Sequence, residues 1–155
     1  MDEYHQAIRL LEENNVRVLT KFPASSELIA DLEQRLGVTL PTSYVQMLKD
    51  FGIMVFKGHM IYGLGKTGLE GDAAPNVVFA TKDRRQNDEI TASMVEIMPS
   101  GYGPFFVIDC DDIGASSEAT VWQVSELGVV KEKSKVAESF GEFLLAEVKD
   151  LVGIS

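Results

Sequence analysis

Apolar residues recur at helical spacing in four stretches of the chain, and at strand spacing only in its middle. Tyr4, Ala7, Ile8 and Leu11 share one face of a first helix, which Asn14-Asn15 stops. Leu28, Ile29, Leu32 and Leu36 make the stripe of a second, with Ser25 and Ser26 as capping candidates and Gly37 as its left-handed end. A third starts at Leu40-Pro41, with Pro41 in its first turn, carries Tyr44, Met47, Leu48 and Phe51 inward, and ends at Gly52. The last is expected to run from Ser134 as N-cap to about Val152, burying Val136, Ala137, Phe140, Phe143, Leu144, Val148 and Leu151.

Between the third and last helices the period shortens. His59–Tyr62, Met94–Met98, Phe105–Asp109 and Thr120–Val124 are short β-rich runs bounded by Gly, Pro or Asp, and Val129-Val130 adds a further short strand. Pro75–Asn87 suits a helix with Pro75 at its first position, Val78 and Phe79 inward, and Lys82, Arg84 and Arg85 on a solvated face. Gly63–Ala74 is a Gly-rich surface loop. Helices, then strands, then a helix predict an α+β fold over residues 1–155: one domain, its central antiparallel or mixed sheet flanked by N-terminal helices and a C-terminal helix.

Composition narrows the classes of function. With 45% apolar residues the chain supports a core without disulfides or metal, and no run approaches the roughly 18 apolar residues of a membrane span. Lys and Arg number 14 against 24 Asp and Glu, a net charge of −10, which disfavours direct nucleic-acid binding and favours basic partners. The excess is uneven: residues 109–155 hold 10 acids and 4 bases, residues 1–108 hold 14 and 10. The lone Cys110 has no partner for an internal disulfide, and the N-terminus lacks a signal pattern, so a reduced cytoplasmic protein is expected.

Motifs that suggest chemistry fail on inspection. Gly63, Gly65 and Gly68 spell a dinucleotide fingerprint, yet Leu69-Glu70-Gly71-Asp72 is a poor helix start and sets two acids beside the supposed phosphate. Gly65-Lys66-Thr67 imitates a phosphate-binding loop, but Met60 stands where its first glycine belongs. Counted as a calcium loop from Asp109, the chain places Ile113 and Thr120 at ligand positions. His5, His59 and Cys110 fall in no triad spacing, and Cys110 ends an apolar strand where an inert thiol is expected. No catalytic residue, metal site or cofactor is expected. Tyr62 and Trp122 are expected to pack the sheet. The candidate partner-binding residues are the acids Asp109, Asp111, Asp112 and Glu118, with Glu70 and Asp72 from the Gly-rich loop.

Taken in order, several segments resemble the SUKH superfamily, the domain of Smi/Knr-type cell-wall regulators and of many bacterial immunity proteins. Leu40-Pro41-Thr42-Ser43-Tyr44, then Met47-Leu48 and Phe51-Gly52, is similar to that family's LPxxY…hL…xG segment, where h is apolar. Ile61-Tyr62-Gly63 resembles its strand-ending hyG motif, Val121-Trp122 its V-x-W strand, and Ala137-Glu138-Ser139-Phe140 with Glu142-Phe143-Leu144 its closing helix. Phe105–Asp109 adds the intervening strand. Gln123 stands where an aspartate often follows the tryptophan. The resemblance implies a cytoplasmic protein that neutralises a toxin, often a nuclease, without catalysis; regulatory scaffolding is the alternative. It brings no catalytic residues. Pro41, Tyr44, Gly52, Gly63, Trp122 and Phe140 read as architecture, with Pro41 starting a helix, Tyr44 and Trp122 packing, and Gly63 allowing a turn.

Overall fold

A computed structural model describes residues 1–127 and 130–154, and the side chains among them outside 126–131. The described elements are α1 (Asp2–Glu13), α2 (Ser26–Leu36), α3 (Thr42–Asp50), β1 (Met54–Phe56), β2 (His59–Ile61), α4 (Val77–Gln86), β3 (Met94–Pro99), β4 (Phe105–Ile113), β5 (Ala119–Leu127), β6 (Val130–Ala137) and α5 (Phe140–Val152). β1 and β2 form a two-stranded hairpin. β3-β4-β5-β6 form an antiparallel meander, so the α+β expectation holds. Among the described residues no helix is long and apolar enough to cross a membrane.

Alternation along the meander sorts its side chains between two faces. Val95, Ile97, Ile108, Val121 and Ala137 enter the main core, where α1 packs on α5 and α5 packs on β5 and β6. Met94, Phe105, Val107 and Val124 make a smaller cluster with Ile90, and Trp122 packs at its margin. Trp122 and Tyr62 therefore do pack the sheet region.

Several boundaries differ from the sequence reading. Ser134 does not cap a helix: it lies in β6, paired with Gln123, and Val136 and Ala137 belong to the same strand. α5 begins six residues later, where Ser139 accepts from the Glu142 N–H. The run 134–137 carries no turn residue to separate strand from helix, so the helical stripe extends falsely backwards across it. Within the expected Val129-Val130 strand, Val130 opens β6 and Val129 lies outside the described residues. β1 was not anticipated, because three residues are too few to show a period.

α4 is capped by Asn76, whose Oδ1 accepts from the Phe79 N–H, so Pro75 lies outside the helix. Phe79 is 38% exposed, while Val77, Val78, Ala80 and Thr81 are buried. Nor are Arg84 and Arg85 a solvated face. Arg84 stacks over the Phe105 ring, 3.7 Å from its centroid, and bonds Glu96 and Glu89. Arg85 donates to the Leu36 and Met94 carbonyls, satisfying the end of α2. Side-chain pattern alone treats a long cation as exposed, whereas here its stem packs and its head finds fixed acceptors.

The Gly-rich segment is tied at its base. The Gly63 N–H donates to Pro75 O and the Val77 N–H to Gly63 O, closing the loop on itself. Asn76 Nδ2 reaches across it to Gly68 O at 2.8 Å. Gly63 itself is needed for close approach rather than for a turn. A Cβ there would sit 1.8 Å from Gly52 O, and Gly52, at φ +77°, would meet Phe22 O at 2.2 Å. The two motif glycines are one contact, sealed by the Leu64 N–H donating to Gly52 O.

Candidate partner-binding surface

The acidic residues singled out by sequence divide on folding into three settings. Asp109, Asp111 and Asp112 lie in an irregular stretch of β4, where Asp109 still pairs with Thr120 but Ile113 pairs with Ala119. The expected strand end and turn at Asp109 is thus a bulge, and the strand continues to Ile113. Asp109 is buried and accepts from the Asp111 N–H at 3.1 Å. Asp112 accepts from Thr120 Oγ1 at 2.5 Å, and that hydroxyl accepts in turn from Trp122 Nε1 at 2.8 Å. Asp111 alone of the three is exposed, at a cleft shared with Cys110 and the α2 end at Glu33, Gly37 and Thr39.

Glu118 faces inward. α3 begins after Pro41, whose ring offers no capping oxygen, and Glu118 Oε1 supplies one from the β4–β5 turn. It accepts from the Ser43 N–H at 2.9 Å and from the Ser43 hydroxyl at 2.8 Å, while Ser43 Oγ accepts from the Gly141 N–H of α5. One carboxylate thus joins the N-termini of two helices, where negative charge is favoured. Pro41 is accordingly the residue before α3 rather than its first. Glu70 pairs with Arg35 at 3.3 Å on the exposed face of α2, and Asp72 is exposed further along the loop. The six acids therefore do not form one patch, and Asp109, Asp112 and Glu118 serve the fold.

Cys110, on β4, lies beside the end of α2, its thiol pushed up to about 12 by burial first and by Asp109 and Asp111 next. That keeps it protonated and poorly nucleophilic. The histidines are placed elsewhere: His5 sits edge-on to Tyr4, and His59 stacks on Phe56 with centroids 5.2 Å apart.

His59 opens onto a second surface, which the sequence reading passed over. A groove of about 490 Å³ runs between the β1–β2 hairpin, the β3–β4 loop and α5. Met60, Met98, Phe106 and Tyr102 line it, together with Glu147 and Asp150 of α5. Tyr102 is 76% exposed, held out on a loop between Gly101 at φ +89° and Gly103 at φ +123°. The signal was present as Ser100-Gly101-Tyr102-Gly103-Pro104, a single aromatic set between two glycines and flanked by strands. Glu147 is half-buried, and burial raises its pKa against the pull of neighbouring His59.

The fold defines the class first: an α+β domain whose antiparallel meander is covered by α5, on which α1 packs, with α3 docked through Tyr44. That side chain is fully buried, meets Phe140 edge-on at 5.2 Å and donates from Oη to Tyr62 O at 2.7 Å, so three of the motif segments touch. The chain belongs to the SUKH superfamily, for the family model described as SUKH_6, SMI1-KNR4 cell-wall, matches residues 26–144. A search of curated proteins finds no match.

Proposed function

We propose that this protein is a non-enzymatic, cytoplasmic immunity protein that binds and neutralises a cognate nuclease toxin of a bacterial polymorphic toxin system. The observation that carries the reading is a net charge of −10 on a SUKH domain. A nuclease holds phosphates with a basic surface, and an acidic protein meets such a surface quickly and covers it. Nucleic acid and membrane are not direct partners in this reading, and no cofactor is used. Scaffolding between regulatory proteins is the second reading, favoured by the match to the SMI1-KNR4 cell-wall family.

The test is to co-express the protein with any toxin encoded immediately upstream of its gene, purify the complex at low and high salt, and score survival of the producing cells. A complex that forms and protects supports immunity. No complex at either salt concentration, with no protection, sinks it in favour of the scaffold.

A further inference from the structure

We infer that the groove between the β1–β2 hairpin, the β3–β4 loop and α5 is a binding site for an arginine side chain of the partner protein. This rests on the immunity reading for the partner's identity, but not for the chemistry of the site.

Four observations converge. Glu147 and Asp150 stand three apart on α5, so both carboxylates face the same side of the helix. His59 Nδ1 lies 3.3 Å from Glu147 Oε2, an ion-pair distance without the alignment of a hydrogen bond. The imidazole neutralises Glu147 only when protonated, and the exposed Asp150 adds a second carboxylate beside it, so the pair favours an incoming cation. The walls then select which cation. Tyr102 and Phe106 offer aromatic faces, and Met60 and Met98 a deformable apolar lining. A planar guanidinium stacks on such faces and forks onto carboxylates, whereas a compact ammonium does neither as well. Lys57, exposed in the hairpin turn, is the lysine among the lining residues.

Tyr102 fits the role of anchor. The two flanking glycines in left-handed conformations present it to solvent on a short loop between β3 and β4. Exposed tyrosines beside desolvated pockets dominate binding energy in many interfaces. By contrast Asp109, Asp112 and Glu118 already have internal partners and offer little to a ligand.

The experiment uses the full chain labelled at its methionine methyls, titrated with N-acetyl-arginine amide, N-acetyl-lysine amide and N-acetyl-glutamine amide. The arginine probe is expected to shift the Met60 and Met98 methyls saturably at about millimolar concentration, with at least fivefold preference over lysine. E147Q/D150N is expected to abolish the shift and Tyr102→Ala to weaken it at least threefold, with D111N/D112N unchanged. Thermal melts establish that each variant is folded. Equal response to the three probes, or a response untouched by E147Q/D150N, overturns the inference.

In parallel, the same variants are tested against any toxin encoded immediately upstream. If the toxin binds Tyr102→Ala and E147Q/D150N as tightly as wild type, the groove is not its site although the immunity reading stands. If no toxin binds but the arginine probe behaves as expected, immunity fails while the site's chemistry holds. At least a tenfold loss of toxin affinity in E147Q/D150N supports both.

Discussion

At the residue scale, the acids of this chain show how one side-chain type takes opposite roles. Glu118 read as a surface charge because it sits in a turn between two strands, yet it caps α3 from 75 residues away. No local pattern announces such a partner; the only hint was that Pro41 leaves its helix without a capping side chain. Removing the carboxylate by Glu118→Ala is expected to cost about 1–2 kcal/mol in urea denaturation, the size of a lost helix cap. Tyr44→Phe orphans the Tyr62 carbonyl inside the core and is expected to cost about 1–3 kcal/mol by the same measurement. Glu147 carries a pH signature. Its pKa is raised in the folded state, by burial above all, with His59 of β2 pulling it down and Asp150 of α5 adding to the rise. The native state therefore holds the proton more tightly than the unfolded chain. Its ionisation is a destabilising term, absent below the ordinary carboxylate pKa of about 4.3 and fully present once pH exceeds the raised value. Glu147→Gln is thus expected to gain on wild type as pH rises from 4 to 7, and a pH-independent gap in denaturation midpoints would contradict this.

At the scale of elements, legibility followed length and punctuation. α2 could be read because Ser25 and Gly37 mark both ends and four apolar residues fill one face; in the structure Ser25 caps it and Gly37 takes φ +70°. The end of the meander could not. Lys133, Ser134, Lys135 and Val136 are all exposed on β6, so hydrophobic pattern gives them no face to declare. β6 is instead held by its ladder to β5, a contact between residues distant from any local signal. The boundary makes a direct test. Ser139→Ala removes the cap of α5 and is expected to cost about 1 kcal/mol, while Ser134→Ala, on an exposed strand, stays within about 0.5 kcal/mol of wild type. Equal losses at both positions would return the start of the helix to Ser134. The Gly-rich loop teaches the same lesson. Its glycines imitate a phosphate motif, but Gly63 exists for its contact with Gly52, across a fold that spacing cannot foresee.

For the whole molecule, the question is what a charge of −10 does when it is not gathered in one patch. Scattered surface carboxylates act through the field they sum to, which speeds encounter with a basic partner and is screened beyond about 8–10 Å at physiological salt. A carboxylate pair in a groove acts after encounter, on the lifetime of the complex. The two mechanisms separate kinetically. Neutralising exposed acids outside the groove, as in D72N/D111N, is expected to slow association with a basic toxin by a small factor at low salt, with little effect on dissociation. That difference should shrink as salt is raised. Neutralising Glu147 and Asp150 is expected to speed dissociation by at least tenfold at every salt concentration. Stopped-flow association and surface-capture dissociation rates on the same variants would distinguish these effects. If both pairs of substitutions changed only association, in proportion to the charge removed, then net charge alone would account for recognition and the groove would have no special part. If the groove pair alone governs dissociation, bulk acidity brings the partner in and α5 holds it.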